Sequence, residues 1–198
     1  MINFINHNNE IPYRVLLEAY KKALKAKQKN IEALTVSSYN PTSNEVDSRY
    51  VNLKIIDNNK FIFFTNYNSP KSIAFDLHKQ ISALFFWESI NIQIRMKAHI
   101  YKTSMDFNRN YFKNRSSEKN ALAISSFQSR QTSSYKRVLE NYKIAKNNED
   151  LTKCPEYWGG YYFIPYSIEF WTGNDFRINE RNLYEKNKDS WQHSIIQP

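Results

Sequence analysis

Residues 90–101, INIQIRMKAHIY, alternate without a break: Ile90, Ile92, Ile94, Met96, Ala98 and Ile100 against Asn91, Gln93, Arg95, Lys97, His99 and Tyr101. A period of two places the apolar set on one face of a β-strand and the polar set on the other, so one face is buried and the other is polar. Runs rich in β-branched and aromatic residues predict further strands at 31–38, 47–56, 60–66 and 81–87, with Asp57-Asn58-Asn59 as a turn between two of them. The tail returns to the same pattern at 161–171, 176–186 and 191–196. Between and before the strands the period changes. Val15, Leu16, Ala19, Tyr20 and Ala23 carry the three-and-four spacing of an amphipathic helix over 12–28. Ser69 and Pro70 fit the cap and first position of a helix over 69–80, and helical patterns cover 103–147 with Thr103 as a cap. Strands at both ends with helices between predict a mainly β fold with flanking helices: an antiparallel, Greek-key-like sheet closed into a barrel, the helices packed outside.

The chain has 198 residues, 41% of them hydrophobic, which suits a single domain spanning 1–198. Residues 1–10 read as a flexible N-terminal extension. The N-terminus lacks the basic start and apolar run of a signal peptide, and stretches such as ALFFW (83–87) fall far short of a membrane span, so a soluble, cytoplasmic protein is expected. Cys154 is the only cysteine, and no intrachain disulfide can form. The net charge of +9 suggests anionic partners, either nucleic acid, an acidic membrane surface or phosphorylated small molecules, without choosing among them. Glycine narrows the choice. The chain has only Gly159, Gly160 and Gly173, and a backbone phosphate cradle needs several glycines at fixed spacing. A phosphorylated ligand must therefore be held by side chains.

The usual catalytic constellations are missing. His7, His78, His99 and His193 are scattered and no cysteine pair exists, so no metal site is expected. There is no nucleophile elbow, and nothing supplies Cys154 with a base. What remains is a dispersed set of cationic, amide and hydroxyl side chains. Arg49 and Lys54 bracket one strand, Thr65 ends the next, and Ser69 and Lys71 lie at a helix start. Gln93 projects from the polar strand face, Tyr111 and Arg115 stand four apart, and FQSR (127–130) adds an amide and a hydroxyl. Near the C-terminus, IEFWTGNDFRINER (168–181) runs from an apolar strand through a turn to Arg177 and Arg181.

In order and spacing these residues resemble the pyridoxamine 5′-phosphate oxidase family, FMN enzymes of vitamin B6 metabolism. SRYVNLK with FFTNYNSPK, YFKNR with FQS, and YWGGYYFIPYSIEFW…RINER carry the resemblance, which runs from about residue 11 to Pro198. It implies a split β-barrel, a homodimer with FMN at the subunit interface, a small phosphorylated substrate and no nucleic-acid or membrane partner. Carried over residue by residue, it implies that Arg49 and Lys71 hold the flavin phosphate with hydroxyls from Thr65 and Ser129. Val51, Lys54, Phe64 and Gln93 complete the near side of the flavin, and Gln128, Trp171 and Arg181 come from the second subunit. Lys54, Tyr111, Arg115 and Lys119 form a substrate-phosphate cluster. Arg177, the catalytic residue of the set, lies over the substrate ring with Asn179 beside it.

The resemblance is incomplete on the substrate side. Asn179 stands where the family has histidine, Lys119 where it has serine, and Pro70 where it has arginine; Thr172 and Asn52 also depart, and the basic N-terminal arm of many members is absent. Two further readings therefore stand beside a B6 oxidase. One is a flavin oxidase of secondary metabolism, of the phenazine-biosynthesis type, with the same cofactor and another substrate. The other is a basic, non-catalytic nucleic-acid module that stacks bases on its aromatic side chains.

Overall fold

The computed structural model describes residues 1–198. In chain order the elements are β1 (Asn3–Ile5), α1 (Ile11–Lys25), β2 (Ala33–Asn40), β3 (Glu45–Asn52), β4 (Ile55–Asp57), β5 (Lys60–Asn66), α2 (Pro70–Leu77), β6 (Gln80–Trp87) and β7 (Ile92–Lys102). Then follow α3 (Met105–Lys113), α4 (Ser117–Ser125), α5 (Tyr135–Asn148), β8 (Trp158–Thr172), β9 (Glu180–Asn187) and β10 (Ser190–Ile195). The strands form one sheet ordered β1-β4-β5-β8-β7-β6-β2-β3, with β9 and β10 continuing from β8. Every pairing is antiparallel except β1 with β4. β3 and β5 approach each other without hydrogen-bonding, so the barrel is split along that line.

The alternation in β7 has the predicted consequence. Ile94, Met96, Ala98 and Ile100 are buried against Ile81, Ala83, Phe85 and Trp87 of β6, inside a core cluster of 27 residues. The strand begins at Ile92, because Ile90 closes a short 3₁₀ turn and Asn91 takes left-handed backbone (φ 50°), which asparagine tolerates. The predicted 47–56 strand is two strands. Leu53 donates its N–H to Glu32 O (2.9 Å) and Lys54 donates to Ile62 O (2.9 Å). The chain thus leaves its partner β2 and joins β5 across that step, which sets Lys54 at the split.

β8 is the hinge of the architecture. Its first part pairs with β5 through Phe163, and its second part pairs with β9 from Ser167 onward, while β7 pairs with both. Pro165 lies in the gap between the two flanking partners, where its missing N–H deprives neither, and the register against β7 slips there between Lys97 and Ala98.

Two expectations change. Residues 1–10 are not a free extension: β1 pairs with β4, and Ile2 is buried with its N–H donated to Tyr20 Oη (2.9 Å). At the end of that segment Glu10 accepts from Lys186 Nζ (2.5 Å) and Trp191 Nε1 (3.0 Å). Thr103 is not a helix cap either; Ser104 caps α3 by accepting from Phe107 N–H (3.3 Å). Thr103 instead donates to Asn108 Oδ1 (2.5 Å) and to Gly160 O (3.0 Å). Asn108 is fully buried, accepts from Gly160 N–H (2.9 Å) and donates to Tyr67 Oη (3.0 Å), which itself donates to Gly160 O (3.0 Å). Through this network α3 is bolted to β8. No helix of the chain is long and apolar enough to cross a membrane.

Replacing Asn108 with Ala leaves the Gly160 amide without its acceptor and takes from the Tyr67 hydroxyl the bond it accepts, a loss of ~1–3 kcal/mol. A urea titration of Asn108→Ala is expected to show a lower midpoint at unchanged slope; a midpoint equal to wild type would remove the network from its role.

Candidate functional site

At the split a cavity of about 590 Å³ opens between the two halves of the barrel and the α3–α4 corner, a size typical of small-molecule sites (~300–1,000 Å³). Its walls include Val51, Lys54, Phe64, Thr65, Lys71, Tyr111, Arg115, Lys119 and Gln128. Four cations and no carboxylate face this space, an arrangement that favours an anion.

One end is built at the start of α2. Pro70 opens the helix and Ser69 sits at the cap in extended backbone, but its hydroxyl does not close the helix end. It accepts instead from Lys71 Nζ (3.1 Å), which also donates to Thr65 Oγ1 (3.1 Å). Lys71 is buried with neutral acceptors only, and burial together with the neighbouring Arg49 charge lowers its pKa to about 8. Arg49 points to the same side and donates to Val36 O (3.2 Å) and Ser38 Oγ (2.8 Å), pairing outward with Asp47. Two cations close together, one partly stripped of its charge by its surroundings, leave this end short of an anion.

The other end is built on α3 and its corner with α4. Because Asn108 fixes the helix, Tyr111 falls one turn on, and Arg115 follows just past the helix end, in the turn to α4. The Tyr111 ring stacks on Phe64 (centroids 3.7 Å apart, 12° between planes), and Trp158 lies nearly parallel to Phe64 at 5.2 Å. The Arg115 guanidinium lies over Trp158 at 4.4 Å. Arg115 Nη1 is buried without a hydrogen-bond partner, and burial lowers its pKa. Asn120, also buried, donates to Phe112 O and Leu151 O (both 2.8 Å) and holds the corner in place. Lys119 is exposed on the cavity wall, and Lys54 pairs with Glu32 at 3.7 Å.

The remaining predicted residues are elsewhere. Gln128, expected beside Trp171 and Arg181, belongs to the cavity of its own chain: its Oε1 accepts from Thr65 Oγ1 (3.1 Å) and Asn66 N–H (3.4 Å). Ser129 is exposed in left-handed backbone (φ 67°) and lines none of the cavity. Gln93, expected beside Val51, stands directly opposite Trp171, and Trp171 opposite Arg181, so the three form one row across β7, β8 and β9. From Gly160, which faces Phe64 at the cavity, to Trp171 the path along β8 is roughly 35 Å. None of the three lines the cavity. Arg181 is held by buried Glu169, which accepts from its Nε (2.8 Å) and from Arg95 Nη1 (3.1 Å).

Arg177 and Asn179 lie in the loop between β8 and β9, and Arg177 is exposed. Phe176 and Arg177 both take left-handed backbone (φ 58° and 62°), a conformation that costs a non-glycine residue about 1–2 kcal/mol. Sequence reasoning gave no role to Tyr50, Asn114, Ser116 or Trp158. Only Trp158 carried a signal, as the residue before the chain's single glycine pair.

Residues 158–198 match the family model described as the pyridoxine 5′-phosphate oxidase C-terminal dimerisation region. The chain is 33% identical over 170 residues to a pyridoxine/pyridoxamine 5′-phosphate oxidase of Vesicomyosocius okutanii, covering 85% of this chain and 80% of that protein. It is 32% identical to one of Shewanella pealeana, covering 97% and 92%. Among solved structures, PhzG from Burkholderia lata 383 in complex with tetrahydrophenazine-1-carboxylic acid superposes with a TM-score of 0.89 at 22% identity, over 94% of this chain and 92% of that one. A pyridoxamine 5′-phosphate oxidase-related, FMN-binding protein from Nostoc punctiforme gives a TM-score of 0.79 at 12% identity, over 96% and 99%. At these identities the two structures share the fold.

The lowered pKa of Lys71 predicts that an anion held at this end of the cavity binds in a pH-dependent way. The lysine's charge is present below about 8 and lost above it, so affinity for a phosphate monoester is expected to fall toward tenfold per pH unit above that point. Lys71→Arg stays charged and should flatten the dependence. A wild-type affinity that is level between pH 7 and pH 10 would detach Lys71 from the anion.

Proposed function

The chain belongs to the pyridoxine/pyridoxamine 5′-phosphate oxidase family, and we propose that it acts as an FMN-dependent oxidase on a phosphorylated pyridoxine or pyridoxamine, working as a homodimer. One observation carries the reading: a cavity with no carboxylate in its lining has cations at both ends, Lys71 at one, with Arg49 close enough to act on its charge, and Arg115 and Lys119 at the other. Two anionic groups fit it, and a flavin mononucleotide beside a phosphorylated substrate supplies two.

The residues present suit such a cofactor. Lys71 lacks an anionic partner, and a phosphate there would restore its charge while Thr65 and Ser69 keep it oriented. A flavin held there would supply the hydride acceptor for the substrate carbon that bears the alcohol or amine, with oxygen as the final oxidant and hydrogen peroxide as its product. The protein's part is placement and charge. Arg115, braced on Trp158, and Lys119, with Tyr111 and Lys54, hold the substrate phosphate. Arg177 covers the substrate ring and keeps water from it.

The second copy enters because Gln93, Trp171 and Arg181 do not line the cavity of their own chain, and the match of 158–198 to a dimerisation region supports delivery of that row to the partner's cavity. Exposed Phe86 continues the row on β6, as an unpaired interface would leave it. On this reading one row serves the flavin of the opposite subunit.

Asn179 and Lys119 keep an oxidase for another acid in view, since both changes fall at the substrate end. Peroxide release decides between them: pyridoxamine 5′-phosphate and pyridoxine 5′-phosphate are expected to turn over, and a dihydrophenazine carboxylic acid is not. The reverse result would assign the other substrate class, and a protein that takes up no FMN would end both. Arg115→Ala is expected to lower kcat/KM for the phosphorylated substrate by roughly 10- to 100-fold. Co-expressing it with Trp171→Ala/Arg181→Ala should restore activity, because a mixed dimer contains one intact site; absence of rescue with dimers formed would refute the shared site.

A further inference from the structure

The strained segment of the chain is the β8–β9 loop. Phe176 and Arg177 are the only consecutive non-glycine residues with positive φ; the others, such as Asn58, Asn91 and Ser129, occur singly. Most of the single cases are asparagines, whose short polar side chains accept this backbone. Phenylalanine and arginine do not share that excuse. Phe176 is 94% exposed, so no packing in its own chain compensates for the conformation.

What holds the loop is a clasp at its neck. Asn179 Oδ1 accepts from Asn174 N–H (3.2 Å), and Asn174 Nδ2 donates to Ile178 O (3.3 Å). Within the clasp Ile178 N–H reaches Asp175 O (3.3 Å). Both ends are anchored to the sheet: Gly173 N–H donates to Asn91 O (3.0 Å), and Glu180 starts the ladder with Thr172. The two asparagine side chains therefore tie Asn174 to Ile178 and Asn179 and force the intervening Asp175–Arg177 turn outward.

We propose that Asn179 is a positioning residue, whose carboxamide clasps the loop neck and acts on the substrate only through the backbone of Arg177. The inference rests on Arg177 facing the substrate, as in the function proposed above. It also gives the histidine-to-asparagine change a physical sense. A carboxamide accepts a hydrogen bond at every pH, whereas a neutral imidazole that accepts one loses that capacity on protonation.

Two measurements on the flavin-loaded dimer test this. In the first, chymotryptic cleavage after Phe176 reports loop opening independently of activity. Asn179→Ala is expected to be cleaved roughly 10-fold faster than wild type, at an unchanged thermal midpoint. Asn179→Asp keeps the accepting oxygen and should be cleaved at the wild-type rate. In the second, Asn179→Ala is expected to lower kcat/KM for pyridoxamine 5′-phosphate by about 10-fold in the wild-type background and less than about 2-fold in an Arg177→Ala background. Losses that multiply in the double variant would mean that Asn179 touches the substrate itself, and cleavage of Asn179→Ala at the wild-type rate would mean that no clasp exists; either overturns the proposal. If Arg177→Ala alone turns over normally, the reading of the site falls instead, and the cleavage rates still judge the clasp.

Discussion

A buried amide holds the functional half of this molecule in place. Asn108, itself fully buried, meets Gly160 N–H, Tyr67 Oη and Thr103 Oγ1. The contact is possible only because β8 has glycine there. A β-carbon on Gly159 would overlap Tyr67 and the Asn108 amide, and one on Gly160 would crowd Thr103 and Phe64. Close backbone approach is thus the constraint, and it uses two of the chain's three glycines. With α3 set at that distance, Tyr111 stacks on Phe64 and Arg115 reaches Trp158. Loosening the contact would move the whole cationic wall relative to β5.

The electrostatics of the cavity follow from how its cations are supported. Lys54 has Glu32 as a partner, but Lys71 and Arg115 are braced by hydroxyls and by an aromatic face respectively. Such supports fix position without neutralising charge. The consequences are the lowered pKa values of both groups, the expected result when burial removes water and no counter-ion replaces it. A bound anion would relieve both. Glu169 shows the opposite solution on the far side of β8, where a buried carboxylate satisfies Arg95 and Arg181.

Much of the site was legible in the chain because its cationic, amide and hydroxyl residues stand in an order that resembles the pyridoxamine 5′-phosphate oxidase family. Nine of the expected residues line one cavity. The grouping was not legible. Gln128 lies with Thr65 because the loop after α4 folds back over β5, and Gln93 lies with Trp171 because β7 and β8 pair antiparallel over 11 residues of β7. Neither relation has a local signature, since each depends on register between segments far apart in sequence. The order of residues 1–10 was hidden for a similar reason. Three residues of parallel pairing to β4 and a carboxylate shared with Lys186 and Trp191 leave little trace in composition.

The sequence by itself determined the strands, the amphipathic first helix, the lack of a glycine phosphate loop and the cationic character of the site, because periodicity and side-chain chemistry are local properties. Tertiary structure decided which cations share a space and which do not. β8 is one continuous strand, yet its two parts serve different neighbours, with Gly160 at the cavity and Trp171 roughly 35 Å along it. Residues close in sequence are thus held apart in space by the stiffness of an extended strand, which no local property of the chain records.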